Sequence, residues 1–298
     1  MISWIGVEGK RRGQGMGYER IEVRPLAGAL GAEIAGVDLA REQGNRTWTE
    51  IHRAFLDHLV IVFRDQTLSL DDLMAVGRRF GEPSDYPFVK GLDSHPQIFE
   101  IVKEPHEAKN FGNAWHSDTT YLRRPPLGTL LYAKETPSHG GDTLFANQYL
   151  AYESLSDGMR ALLGRLAGVN SASLKRAGGR TSRHSNISGM KVQGTDDAAA
   201  VEAVHPVVRA HPGTGRKALY LNRSHTIRFE DMTEDESQPL IDYLANHAVR
   251  PEFTCRVRWA PGTLTVWDNR CTQHYAINDY TGQRRLMQRL TVGPEAPA

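Results

Sequence analysis

This sequence of 298 residues contains few cysteines, no long apolar segment and no large excess of either charge. Its two cysteines, Cys255 and Cys271, have neither the number of a disulfide framework nor the spacing of a zinc ribbon. Apolar runs such as HLVIVF are far shorter than the roughly 20 residues that span a bilayer. The 36 basic and 35 acidic side chains leave a net charge of +1, which gives no basic footprint for nucleic acid. These absences predict a cytoplasmic protein with no membrane and no nucleic acid as partner.

The chain does contain the material for a large core, because 40% of its residues are hydrophobic and 24% are charged. An apolar start precedes the basic residues at 10–12, which is the reverse of the order in a signal peptide. We predict a disordered tail, or an over-extended start, over residues 1–17 and a single domain over residues 18–298. The segment 171–193 is polar and rich in glycine, which predicts a mobile loop.

Strand signals outnumber helix signals along the chain. Helical spacing predicts helices in WTEIHRAFLDH, in LDDLMAVGRRF after a capping Ser69, and after the capping box of Thr233 and Glu236. The predicted strands are LVIVFRD, QIFEIV, LGTLLYAKE, DTLFAN, HPVVRAHP, KALYLN, EFTCRVRW, TLTVWDN and RRLMQRLTV. Antiparallel hairpins dominate, so the predicted fold is mostly β with flanking helices, in the form of a jelly roll or barrel.

The stretch AWHSDTTY places a histidine and an aspartate, His116 and Asp118, one residue apart. In a strand, residues i and i+2 point to the same face, so an imidazole and a carboxylate would lie side by side. Such a pair is the local part of a facial triad of two histidines and one carboxylate, which leaves positions on the metal open. His274, just after an apolar strand, could supply the third ligand. The alternative is an ordinary polar pair, because His-x-Asp is common by chance.

Arg285, Met287 and Arg289 share one face of the last predicted strand. A buried guanidinium requires an anionic partner. At about 3.3 Å per residue the two arginines lie roughly 13 Å apart, too far to hold one carboxylate. They fit two anions, one end of a dicarboxylate and a second group nearer the metal, unless both lie on a solvated edge strand.

Five motifs occur in the order and at the spacing of one enzyme family, namely WHSD, GGDTLF, HPVVRAHPGTGRKALYLN, WDNRCTQHYAINDY and RRLMQRLTV. From about Arg20 to Val292 the chain resembles the iron(II)- and 2-oxoglutarate-dependent taurine dioxygenase family, whose relatives include phenoxyalkanoate and alkylsulfate dioxygenases. The resemblance implies a double-stranded β-helix, which agrees with the predicted jelly roll. It also implies that the protein hydroxylates a substrate C–H bond, consuming O2 and 2-oxoglutarate and releasing succinate and CO2.

The resemblance further implies roles for particular residues. The implied iron(II) ligands are His116, Asp118 and His274. Thr143 matches a hydroxyl that hydrogen-bonds 2-oxoglutarate, and Arg285 matches the guanidinium that holds its distal carboxylate. Arg289 matches an arginine that lies near the anionic group of the substrate and near the cosubstrate.

Residues that recognise the amino-sulfonate in the taurine enzymes are changed in this sequence. Tyr86 and Val89 stand where those enzymes have a histidine and a tyrosine, and Gly112 stands in place of an asparagine. Without those polar groups the taurine ammonium would be poorly satisfied, so taurine is not the expected substrate. Tyr86 and Phe88 predict a larger or more apolar substrate, unless they only pack the core. Together with Arg289 they favour a small organic anion (an alkylsulfate first, otherwise a sulfonate or carboxylate) whose hydroxylated product can fragment.

Two other functions stay open from the sequence. The same three ligands could hold zinc in a metal-dependent hydrolase or isomerase, but that chemistry does not need Thr143 and Arg285. A protein that keeps the fold for binding alone would not need the complete triad. Members of the resembled family often form dimers or tetramers, so a homo-oligomer is also open. Of the remaining polar residues, we interpret Cys271 as a neutral buried thiol and His211 as structural or exposed.

Overall fold

A computed structural model of the protein describes residues 17–172 and 201–294. The predicted tail at 1–17 and loop at 171–193 therefore lie outside the described residues, apart from one residue of the tail and two of the loop. In the described part of the chain, no helix is long and apolar enough to cross a membrane.

Helices are the minor element in the described residues. They are α1 (Asn45–His58), α2 (Leu70–Phe80), α3 (Gln148–Glu153), α4 (Asp157–Leu163) and α5 (Glu234–Ala248), with a 3₁₀ turn at Pro251–Phe253. The predicted helix starts are confirmed, because Ser69 caps α2 and Thr233 caps α5, each within a capping box. Helices α3 and α4 were not predicted, because they are too short to show a clear apolar period.

Strands supply most of the architecture. They are β1 (Glu22–Pro25), β2 (Ala32–Ala35), β3 (Val60–Phe63), β4 (Pro83–Ser84), β5 (Ile98–Lys103), β6 (Pro126–Glu135), β7 (Thr143–Asn147), β8 (Ala167–Ser171), β9 (Glu202–Pro206), β10 (Val208–Ala210), β11 (Lys217–Leu219), β12 (Thr226–Phe229), β13 (Thr254–Val257), β14 (Leu264–Asp268), β15 (Thr272–Ala276) and β16 (Arg285–Pro294). The mostly β class with flanking helices is confirmed.

Two sheets carry the site. The large one has the order β1-β2-β3-β14-β6-β16-β4, with β5 also paired to β16, and the small one has the order β13-β7-β15. Strands β8 to β12 form two further sheets between β7 and β13 along the chain. The strand β16 has β6 on one side and β5 and β4 on the other. It is therefore an inner strand, and the solvated edge strand considered for its arginines is wrong.

The large sheet is covered on both faces, which explains its continuous apolar runs. In β3, Val60 and Val62 join the core shared with the small sheet, while Ile61 and Phe63 join the core beneath α1 and α2. The same alternation holds in β16, where Met287 belongs to the first core and Leu290 to the second. Side chains two residues from Met287 therefore point between the two sheets, as expected for a jelly roll with a filled interior.

Candidate active site

The two histidines of the predicted triad are joined through their backbones. The amide of His116 donates to the carbonyl of His274 (3.1 Å), and the amide of His274 donates to the carbonyl of His116 (2.8 Å). His116 forms only this isolated bridge, and Asp118 already lies in a turn. The prediction that both lie on one strand is therefore wrong, although both side chains reach the same place. Thr119, next in the turn, has a φ of +44°, a strained value for a β-branched residue.

The three predicted ligands converge in the interior. Oδ1 of Asp118 lies 3.8 Å from Nε2 of His116 and 3.7 Å from Nε2 of His274. The rings of His116 and His274 are 4.2 Å apart between centroids. One ligand atom from each of the three residues lies within 4.8 Å of the others, a spacing that one metal ion could bridge.

The protonation states in this cluster suit a divalent cation. Burial would raise the pKa of Asp118, but the charge of Arg289 and the two imidazoles outweigh burial and hold that pKa well below its usual range. Burial lowers the pKa of His274 well below its usual value. The cluster therefore presents a carboxylate and a neutral imidazole, which are the forms that bind metal. Nδ1 of His116 lies 2.7 Å from the carbonyl oxygen of Ala114, so a proton on Nδ1 leaves Nε2 free to coordinate.

A chain of hydrogen bonds fixes Asp118. The hydroxyl of Thr129 donates to Oδ2 of Asp118 (2.8 Å) and accepts from the side-chain amide of Asn269 (2.9 Å). The indole of Trp267 donates to Oδ1 of Asn269 (3.0 Å). With Oδ2 occupied, Oδ1 is the carboxylate atom turned toward the imidazoles. Thr129 and Asn269 were not predicted as site residues, because their local signal is only a polar residue within or just after an apolar strand.

Arg285 and Thr143 both neighbour Trp259 in the interior. Both are buried, and Trp259 links them, because its indole donates to the hydroxyl of Thr143 (3.0 Å) and its ring lies 5.7 Å from the Arg285 guanidinium. Within the described residues, Nε and Nη2 of Arg285 have no hydrogen-bond partner. The carboxylate of Asp142 already binds Arg256. A buried guanidinium with unused donors is suited to a carboxylate ligand.

Arg289 is 3% exposed and lies between the triad and a group of aromatic rings. Its Nη2 atom forms an ion pair with Oδ1 of Asp118 at 2.5 Å. The centroids of four rings lie 5.7–6.0 Å from its guanidinium carbon, those of Tyr86, Phe99, Phe111 and Trp267. Its Nε atom has no hydrogen-bond partner in the described ranges.

Tyr86 and Phe88 differ in their distance from this guanidinium. Tyr86 stacks on Phe99 (5.1 Å between centroids) and borders Arg289, whereas Phe88 packs edge-on against Tyr121 (5.8 Å). Both are nearly fully buried, so they pack the core as well. The contacts therefore bring Tyr86 to the site directly, and Phe88 only as a support behind it.

A second cluster of possible ligands, His211, Asp268 and Cys271, is saturated by hydrogen bonds. Nδ1 of His211 accepts from two backbone amides, and Nε2 lies 3.0 Å from Oδ2 of Asp268, to which it donates. Asp268 also binds Arg270 through both carboxylate oxygens. Burial raises the pKa of Cys271 well above its usual value, so its sulfur stays a thiol. Neither ring nitrogen of His211 has a lone pair left for a metal, so we interpret the cluster as structural. Of the two alternatives given for His211 from the sequence, structural or exposed, the buried side chain fits the first.

Acid should weaken the fold through Asp268. Burial opposes ionisation, but Arg270 and His211 lower the pKa of Asp268 to about 2. A carboxyl whose pKa is lower in the folded state adds stability above its unfolded pKa of about 3.9, and loses it as the pH falls toward 2. We expect about 2 kcal/mol of the free energy of unfolding to disappear across this range, measured by urea unfolding. In Asp268→Asn the free energy of unfolding should lack this part of its fall with decreasing pH. If it falls as steeply in the variant as in the wild type, Asp268 is not the group responsible.

Comparisons with known proteins agree with this geometry. The family model described as "Taurine catabolism dioxygenase TauD, TfdA family" matches residues 22–291. The alpha-ketoglutarate-dependent sulfate ester dioxygenase of Pseudomonas putida is 36% identical over 287 residues, covering 93% of this chain and 91% of that relative. The alkylsulfatase of Acinetobacter baylyi is 34% identical over 281 residues, covering 93% and 86%. The crystal structure of a taurine dioxygenase from Burkholderia xenovorans is 32% identical, with a TM-score of 0.79, and covers 94% of this chain and 91% of that one.

Proposed function

Because the chain belongs to the TauD, TfdA family and is an iron(II)- and 2-oxoglutarate-dependent dioxygenase, we propose that it acts on an alkyl sulfate ester. The reaction would hydroxylate the carbon that carries the ester oxygen. The hydroxylated ester then breaks its C–O bond to give an aldehyde and inorganic sulfate. The metal-dependent hydrolase or isomerase considered from the sequence is not favoured, because the relatives depend on 2-oxoglutarate.

One observation carries the substrate proposal: the buried guanidinium of Arg289 lies among aromatic rings beside the triad. A buried cation in an apolar setting suits an amphiphilic anion, since the cation binds the anionic head and the rings bury the chain. Alkyl sulfates have this form. Two relatives, a sulfate ester dioxygenase and an alkylsulfatase, support the same class of substrate.

Different residues of the site would bind the metal and the cosubstrate. We infer that the side chains of His116, Asp118 and His274 hold iron(II), a fit supported by two histidines and one carboxylate around one point. Arg285 and Thr143 would hold 2-oxoglutarate, an inference supported by the unused donors of Arg285. Iron(II) with 2-oxoglutarate and O2 supplies the oxidation that inserts an oxygen atom into the substrate C–H bond. The surrounding side chains exclude water and orient the substrate carbon toward the metal position.

Taurine fits this site poorly. Tyr86 and Val89 are both buried in the apolar core between the sheets, where neither replaces the imidazole of the taurine enzymes. A side chain at Gly112 would begin 3.6 Å from the ring of His116, so the missing asparagine removes a polar group from the edge of the site. Taurine's ammonium would then lack partners, which costs affinity.

The substrate proposal is tested by product formation. Succinate, sulfate and aldehyde are measured with iron(II), ascorbate and O2 across alkyl sulfates of increasing length, with taurine, alkylsulfonates and phenoxyalkanoates as comparisons. Equal amounts of sulfate and succinate from alkyl sulfates would support the proposal. Succinate without sulfate, or a preference for another class, would reject it.

Tyr86 should set the preference for longer chains. In Tyr86→Ala we expect kcat/KM for long alkyl sulfates to fall about tenfold relative to short ones, because apolar contact with the chain is lost. Tyr243→Ala removes an exposed tyrosine on α5 and should leave the ratio unchanged. An equal loss for every chain length would mean that Tyr86 only supports the fold.

Other features of the protein stay predictions. These are its cytoplasmic location, a dimer or tetramer, a single domain over residues 18–298, and the absence of nucleic-acid and membrane partners.

A further inference from the structure

A buried lysine, Lys103, lies directly opposite Arg285 in the barrel. The two residues are register partners on β5 and β16. Phe99 and Ile101 on β5 belong to the core between the sheets, so Lys103, two residues further along, points to the same interior. Only 3% of its surface is exposed.

Two cations in this position need an anion. Like charges directly opposite on neighbouring strands are destabilising, and lysine is almost never buried without a partner. Within the described residues, no carboxylate forms an ion pair with the Lys103 ammonium. Burial lowers the pKa of the Lys103 ammonium, and the negative charge of Glu107 opposes that shift. The ammonium instead lies 4.2 Å above the ring of Tyr280.

Tyr280 lies close to both Lys103 and Arg285. Burial raises the pKa of the Tyr280 hydroxyl, while the positive charge of Arg285 lowers it. Tyr280 is thus near both cations, and its ring is itself buried. The ammonium and the unused guanidinium donors therefore share one small region of the interior.

We propose that Lys103 is a second cation for the distal carboxylate of 2-oxoglutarate, beside Arg285. This inference rests on the proposed role of Arg285 and adds a residue to it. With both cations present, a dicarboxylate cosubstrate would be bound far better than an oxo acid that ends in a methyl group. Lys103 is then a positioning and specificity residue for the cosubstrate.

The test measures binding rather than turnover. Fe(II)-loaded protein is titrated calorimetrically without O2, once with 2-oxoglutarate and once with 2-oxopentanoate, which has a methyl group in place of the distal carboxylate. In Lys103→Met we expect the Kd for 2-oxoglutarate to rise about tenfold, the effect of losing one charge-assisted contact. The Kd for 2-oxopentanoate should not change. Lys134→Met, which removes an exposed lysine that also lies over a tyrosine ring, should change neither.

The outcomes separate this inference from the role of Arg285. The preference for 2-oxoglutarate is the ratio of the Kd for 2-oxopentanoate to the Kd for 2-oxoglutarate. If this ratio falls in Arg285→Gln but is the same in Lys103→Met as in the wild type, only the role of Lys103 is rejected. If the wild type binds both oxo acids equally, the role of Arg285 fails as well. If Lys103→Met does not fold, the rate at which Lys103 is acetylated in the wild-type protein is measured instead, with and without each oxo acid. 2-Oxoglutarate, but not 2-oxopentanoate, should then slow the modification of Lys103, and equal rates would reject the proposal.

Discussion

Replacing His116 by alanine should lower iron-dependent succinate formation by about a thousandfold or more, because the metal site loses a ligand and its geometry. The fold should survive. The bridge between His116 and His274 uses backbone atoms, which the substitution keeps, and Nδ1 of the imidazole lies 2.7 Å from the carbonyl oxygen of Ala114, a neighbour two residues away. Bound iron and succinate are measured together, with the thermal midpoint as the check on folding.

His106→Ala is the matched control for this experiment. His106 lies ten residues earlier in the same connection, and its side chain is exposed. The control should bind iron and form succinate as the wild type does. Full activity in His116→Ala would remove the metal assignment, and a large loss of stability would show that the side chain matters to the fold instead.

Arg285→Gln should weaken 2-oxoglutarate binding by about 2–5 kcal/mol, the range for removing one partner of a buried charge pair. The reason is that the guanidinium is buried and its Nε and Nη2 donors are unused by the described residues. The Kd is measured by calorimetry on Fe(II)-loaded protein without O2. An unchanged Kd would mean that another group holds the distal carboxylate.

Arg284 offers a control one residue away. Arg284 comes just before β16, and its partly exposed side chain forms ion pairs with Glu104 and Glu135. Surface ion pairs contribute little to stability, so Arg284→Gln should fold and should bind 2-oxoglutarate as the wild type does. If Arg284→Gln and Arg285→Gln both lose affinity for 2-oxoglutarate, the substitutions act by disturbing the start of β16 and not by removing a contact with the cosubstrate.

The sequence by itself determined the elements whose signals are local. Capping boxes fixed the starts of α2 and α5, because a cap and its partner are three residues apart. Continuous apolar runs predicted the inner strands, because a strand covered on both faces has no polar side. The motif order predicted the roles of the triad and of Arg285 through resemblance, because spacing alone predicts no role for the imidazole of His274 or for the Arg285 guanidinium.

The tertiary structure decided what depends on residues far apart in the chain. Asp118 lies in a turn and not on a strand, and its orientation depends on Thr129 and Arg289, which reach it from other strands. The position of Lys103 beside Arg285 follows only from the register of β5 against β16. Strand register and packing set such contacts. Two residues 182 positions apart in the chain leave no periodic pattern in the sequence between them.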